Sequence, residues 1–359
     1  MDALYGIPVV GLLFQLIAYL VQVLPLIAPI IVVLATPIAL GAMCGFMNER
    51  TGVVNIGIEG MMLASAFTGW TAAAVMTLVW PNETPIAGAF GATPALLFGL
   101  VVAIATGMLV SVAHAWLSIS VRADQIISGT IINIVAVGIT GYLNILISGK
   151  ALQTAGSFRP WVPPKALTDL PYVGWLFDAF LNQGPIVLTM LIMAVVLQVL
   201  LFRSRWGLRT RAVGEHPKAA ETLGVDVIRL RYRNVILGGI FAGLAGAWFT
   251  LEYGNSFQSG MTNGRGFIAL AALIFGRYTP IGALGAALLF TSSEAVGTAI
   301  RFQPPAGQLA ELGNLLSGVP SQVFSALPYL VTIIVLAGVV GRSLPPAADG
   351  KPYQRESAT

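Results

Sequence analysis

The sequence predicts an all-α membrane protein, a polytopic bundle of about ten transmembrane helices with both termini in the cytoplasm. Charged residues make up only 9% of the 359 residues while 56% are hydrophobic, and mean hydropathy is +0.83. Soluble chains carry roughly 25% charged residues. Long charge-free runs at 5–48, 84–121 and 125–149 exceed the about 20 residues that cross a bilayer core about 30 Å thick. Eight of the 19 Lys and Arg residues fall within 203–233, between two apolar stretches.

Spans are expected near 7–24, 26–47, 57–80, 92–119, 125–147, 185–203, 234–252, 265–276, 280–300 and 325–341. The first apolar run is long enough for two crossings, with a break near Pro25. The eighth is too short to cross comfortably and reads as half-inserted or re-entrant. If 203–233 is cytoplasmic, its eight basic residues join Arg50, Arg122, Arg277, Arg342, Lys351 and Arg355 on the inside. Lys150, Arg159, Lys165, Arg265 and Arg301 remain outside, giving 14 against five of the 19. Basic residues mark the cytoplasmic side, so this asymmetry sets the orientation. It also gives the net charge of +4 a membrane reading rather than a nucleic-acid one.

The domain plan is a transmembrane domain over 1–342 with a cytoplasmic loop at 203–233, then a polar tail at 343–359 expected to be disordered. The outside loops 148–184 and 301–324 are rich in Pro and read as short interfacial helices, or as a receiving surface for an external partner. Asp2 with no basic residue before the first apolar run argues against a cleavable signal. The single cysteine, Cys44, excludes an intrachain disulfide and a multi-cysteine metal site. His114 and His216 are too far apart in sequence and setting to suggest a histidine site. Small residues four apart, in Gly41-x-x-x-Gly45, Gly239-x-x-x-Gly243 and Gly282-x-x-x-Ala286, predict close helix packing.

Within the basic loop, Gly214, Glu215, Pro217, Ala219, Ala220, Glu221 and Gly224 outline a two-turn helix. Pro217 suits the first turn and Gly224 the left-handed position past the end. Ala219 and Ala220 are small enough to enter a cleft, and Glu215 and Glu221 could meet basic groups on a soluble partner. A solvated loop helix is the plainer reading. Neither Gly149-Lys150-Ala151 nor Gly350-Lys351-Pro352 has the spacing of a phosphate-binding loop. Any ATPase must therefore be borrowed, and the chain is expected to be no enzyme itself.

The run Asn48-Glu49-Arg50-Thr51-Gly52-Val53-Val54-Asn55-Ile56-Gly57-Ile58-Glu59-Gly60 resembles the signature of permeases of bacterial ABC importers in the branched-chain amino acid and ribose superfamily. It is most similar to the nucleoside-type branch, which has simple-sugar relatives. Residues 125–133, 214–225 and 264–276 carry the same resemblance in the same order. The resemblance implies a two-permease core, a second permease subunit that is a paralogue, cytoplasmic ABC ATPases and an extracytoplasmic binding protein. The setting it implies is a bacterial plasma membrane. ATP and Mg would sit on the ATPase and no cofactor on this chain, and 214–224 would be the coupling helix. The long N-terminal apolar lead and the extended 148–184 loop depart from the family pattern.

Polar residues inside spans are costly and are default site candidates. Asn55 and Glu59 lie four apart, on one face where the third span begins. Asn133 and Asn144 fall in the fifth span, and Ser292, Ser293 and Glu294 in the ninth. Their donors and acceptors suit a nucleoside or sugar passing through the bundle, and they equally suit hydrogen bonds between helices. The rival reading is an ion-coupled secondary transporter using Glu59 or Glu294, which leaves the loop helix without a purpose.

Overall fold

A single helix, α1 (Pro8–Glu49, 42 residues), occupies the first apolar run. The expected break near Pro25 does not occur. A proline inside a helix removes one backbone hydrogen bond, and within an apolar bundle the flanking turns can continue through it. The computed structural model describes residues 8–80, 86, 90–148, 154–317, 319, 323, 326, 330 and 343–354. Helix α2 spans Ile58–Val79, and α3 spans Pro94–Ala115 with a π-helical extension Trp116–Val121. Helix α4 is Gln125–Ser148, α5 Lys165–Thr168, α6 Gly174–Leu181 and α7 Pro185–Arg203. Then come α8 (Arg205–Glu215), α9 (Pro217–Thr222) and α10 (Val227–Ala247), the last with a π-helical extension Trp248–Tyr253. Helices α11 (Arg265–Phe275), α12 (Pro280–Phe302) and α13 (Ala310–Ser317) follow.

The fold is all-helical, with no strand among the described residues. Among the described residues seven helices, α1 to α4, α7, α10 and α12, are long and apolar enough to cross a membrane. Helix α11 has 11 residues, about 16 Å at about 1.5 Å per residue, and falls short of a crossing as expected. Most of the span expected at 325–341 lies outside the described residues.

The chain divides into two units. The first comprises Met1–Ala35, Val162–Gln183 and Leu288–Gly341. Its core joins Tyr19, Val23 and Ile27 of α1 to Ala295, Ala299 and Ile300 of α12 and to Leu312 of α13. The Tyr19 hydroxyl donates to the Gln303 carbonyl at 2.9 Å, and Thr291 donates to Ile31 at 3.2 Å. Part of the long loop here forms the two short helices α5 and α6.

The second unit comprises Thr36–Trp161, Gly184–Ala287 and Arg342–Thr359. Its centre is α2, α3 and α10 packed together. At Gly243 an added Cβ would stand 2.6 Å from the Ile104 Cα, so the expected small-residue seam on α10 is a backbone-to-backbone crossing with α3. The seam on α1 instead receives side chains: a Cβ at Gly41 would lie 2.8 Å from Ala269 Cβ, and one at Gly45 3.0 Å from the Leu273 side chain. Helix α11 therefore runs beside the last turns of α1.

Of the tail expected to be disordered, residues 343–354 pack against the helices and 355–359 lie outside the described residues. Ala348 N donates to Gly214 O at 2.9 Å, Arg231 donates to Lys351 O at 3.1 Å, and Tyr353 packs with Val213, Ala220 and Val227. Polar composition alone suggested a free tail. Buried Pro346, Ala348 and Tyr353 supply the apolar edge that holds it against α8 and α9.

Candidate functional site

Between α1 and α2 the chain leaves helical geometry, and most of residues 51–57 are buried. Non-helical backbone inside an apolar bundle must find partners for its N–H and C=O groups. Val54 N donates to Gln125 Oε1 at 2.7 Å, and the His114 ring nitrogen Nε2 lies 3.0 Å from Val54 O. The Asn133 Nδ2 donates to Ile56 O at 3.0 Å while its Oδ1 accepts from Gly60 N at 2.7 Å. Asn55 folds back on its own turn, its Oδ1 accepting from Gly57 N at 2.9 Å. Three amides and one imidazole thus hold open a break that propensity alone would not maintain.

Glu59, in the first turn of α2, turns toward a second break. Its carboxylate accepts from Gly264 N at 2.8 Å and Gly266 N at 2.6 Å. These are donors at the N-terminus of α11, which no residue within α11 can satisfy. Gly264 takes φ +79°, the left-handed region that favours glycine. Arg265, the first residue of the span expected at 265–276, begins α11 between these two glycines. At the other end of α11, Arg50 Nε donates to Tyr278 O at 2.8 Å.

Glu252 repeats the device. It accepts from Ile186 N at 2.7 Å and Val187 N at 3.2 Å, capping the start of α7. The sequence reading did not single it out, although a Glu in an apolar run close before a polar loop was the available signal. Gln125 entered only as the start of the 125–133 block and His114 only as one of two distant histidines, and neither observation pointed to this role.

The structure thus brings Asn55, Glu59 and Asn133 together around 54–60. Asn144 lies farther along α4 and is half-buried. Ser292, Ser293 and Glu294 belong to the other unit. Ser292 donates to Leu289 O at 2.6 Å and Ser293 to Phe290 O at 2.7 Å, so both hydroxyl protons bond within their own helix. The Glu294 carbonyl accepts from Thr298 at 3.0 Å.

At the polar loop, α8, a turn at His216 and α9 form the expected compact element, ended by Gly224 at φ +80°. Its faces differ from the expected ones. Ala220 is 3% exposed and packs inward on Val213, Val227 and Tyr353, whereas Ala219 faces outward. Gly214 is buried against the Arg50 carbonyl, with Pro346 nearby. Glu215 accepts from Ala347 N at 3.2 Å, and Glu221 accepts from the Tyr353 hydroxyl. Both carboxylates therefore brace the 343–354 segment. An open cavity of about 1040 Å³ lies between Pro217, Lys218 and Ala219 on one side and Lys351, Pro352 and Tyr353 on the other.

Asp349 sits behind this surface with Arg231, which is 1% exposed. Burial pushes the Asp349 carboxyl up to about 7, against the lowering effects of the Gly350 N–H and of Arg231.

Residues 27–336 match the family described as the permease component of the branched-chain amino acid transport system. The chain is 38% identical over 336 residues to the guanosine ABC transporter permease protein NupQ of Bacillus subtilis (strain 168), covering 93% of this chain and 98% of that protein. It is 35% identical over 338 residues to the putative glucose ABC transporter permease protein TsgC13 of Haloferax volcanii, covering 90% and 95%. A second Bacillus subtilis guanosine ABC transporter permease protein, NupP, is 28% identical over 311 residues, covering 84% and 77%. No solved structure matches the chain.

Proposed function

The chain belongs to the permease family of branched-chain amino acid transport systems and is a membrane permease subunit of an ABC importer; from that premise we propose that it carries nucleosides inward across the bacterial plasma membrane. The observation that carries the substrate class is Glu59 on the α11 N-terminus. A free helix N-terminus buried in a bundle attracts anions. Here a carboxylate already fills it, and Asn55 and Asn133 beside it are neutral. That chemistry suits an uncharged, hydroxyl-rich solute, and the likeness to two guanosine permeases directs the choice to nucleosides.

The His216–Gly224 element is the coupling helix of this reading. Its outward residues His216, Lys218, Ala219 and Leu223 would meet a cytoplasmic ABC ATPase that binds ATP and Mg. The second permease is a paralogue, a pairing supported by two Bacillus subtilis permeases that resemble this chain to different degrees. An extracytoplasmic binding protein delivers the solute. The secondary-transporter reading loses ground because Glu59 is engaged by two backbone donors and family membership supplies an ATPase.

Uptake of labelled guanosine by the importer, reconstituted with its ATPase, second permease and binding protein, tests the proposal. Guanosine uptake should require ATP and be competed by other nucleosides, but not by sugar phosphates. Competition by glucose alone would favour the sugar reading that the Haloferax relative supports.

A further inference from the structure

The loop at 254–263, between α10 and α11, is polar, non-helical and largely exposed. Three contacts fix its depth. Its end, Gly264, is hydrogen-bonded to Glu59 in the first turn of α2. Its Phe257 ring packs edge-on against Phe67, two turns farther along α2, with centroids 5.1 Å apart. A Cβ at Gly141, well inside α4, would lie 3.4 Å from Ser259 Oγ. Both α2 and α4 are among the helices long and apolar enough to cross the membrane. The loop therefore runs alongside the interior of spanning helices.

At that depth, irregular polar backbone is tolerated only where it is buried in protein or lines a water-filled cavity. Phe257 and Thr262 are buried and anchor the loop, whereas Asn255, Ser256, Gln258, Ser259 and Asn263 have exposed side chains. Five neutral polar side chains in contact with hydrocarbon would be costly. We infer that this loop lines the translocation path, with Tyr253 at its head offering a platform for a planar ring. Tyr253 stacks on buried Trp248 with centroids 4.6 Å apart and an interplanar angle of 18°, and it is 59% exposed. One ring face is fixed by Trp248 while much of the side chain stays open. The amides and hydroxyls below it match ribose hydroxyls and ring nitrogens. The π-helical turn at Trp248–Tyr253 places the ring at the point where the helix ends and the polar loop begins.

This inference rests on the nucleoside reading for its ligand but not for the path itself. The test uses the importer assembled in proteoliposomes, with Ser259→Cys and, as a control, Leu109→Cys, whose native leucine is 70% exposed on apolar α3. A charged, water-soluble methanethiosulfonate should modify Ser259→Cys at least about tenfold faster than Leu109→Cys, and guanosine with its binding protein should slow that reaction. If Ser259→Cys resists the charged reagent while reacting with a lipid-soluble maleimide, the path assignment is overturned. Protection by glucose and not guanosine would keep the path and reject the nucleoside. Tyr253→Ala should lower guanosine uptake about tenfold, the scale of a lost base–aromatic stack, and Tyr253→Phe should restore it. Equal uptake by the two variants would remove the platform.

Discussion

Glu59 and Gly266 are 207 positions apart, and the Glu59 carboxylate accepts the Gly266 amide proton at 2.6 Å. This bond, with its companion at Gly264, ties the start of α2 to the start of α11 across two breaks in helical geometry. Loss of a hydrogen bond to a charged group costs about 1.5–3 kcal/mol. Glu59→Ala should therefore lower the thermal midpoint of the purified protein and reduce uptake. Glu59→Gln keeps an acceptor and should recover part of the stability. A variant as stable as the parent and fully active would show that the cap has no such role.

The two neighbouring alanines of α9 should behave in opposite ways. Ala219→Trp adds bulk to an outward face and should abolish ATP-driven uptake at unchanged expression. Ala220→Trp forces a ring into the contact with Val213, Val227 and Tyr353, and overpacking typically costs about 1–3 kcal/mol. It should lower stability in detergent as well. Full uptake by Ala219→Trp would remove the coupling assignment.

Docking of 343–354 should weaken as pH rises. Asp349 has a pKa of about 7 when docked, against an ordinary 3.8, so the docked state holds the proton. The stabilisation is complete below about 4 and is lost as pH rises through about 7, by up to about tenfold per pH unit. Arg231, Glu49 and Tyr278 are the charged or titratable groups that share its field. Protection of the 343–354 amides relative to their intrinsic, base-catalysed exchange should fall over that range, and Asp349→Asn should flatten that fall. An unchanged slope in the Asn variant would point to another group.

The orientation drawn from basic residues is open to cysteine labelling. The native Cys44 is fully buried, so the parent chain should give little background. Thr154→Cys should react with an impermeant maleimide added outside intact spheroplasts. Leu223→Cys, at a native residue 85% exposed, should react only after lysis. Reaction of both before lysis would overturn the placement of 203–233 in the cytoplasm.

Much of this was legible in the sequence because bilayer crossing and helix packing are local requirements. The apolar runs gave the helices, and the small-residue spacing at Gly239 and Gly243 gave a real crossing. Glu59 stood out as a charge in an apolar run, and the block at 264–276 stood out by resemblance. That they bond to each other was not legible, since nothing local in either segment names a partner more than 200 positions away. Ala220 and Ala219 are identical in composition and differ only in the face their helix turns inward, which the docked segment decides. Ser292 and Ser293 were legible only as hydroxyls in an apolar run; that each donates to a carbonyl of its own helix was not. Pro25 read as a break because proline ends helices in water.

The hydrogen bond from Tyr353 to Glu221 joins positions 132 apart, with α10 and α12, both long enough to cross a membrane, and the shorter α11 and α13 made in the interval. Ribosomal synthesis runs in one direction, so the α8–α9 element emerges long before the residues that brace it. Until residue 353 has been translated, Ala220 lacks one of its packing partners and Glu221 its hydroxyl donor. An ATPase recognising the braced form would be recruited only to chains whose later helices had already been made. Order of synthesis would then act as a checkpoint on assembly, written into a surface that no early fragment can complete.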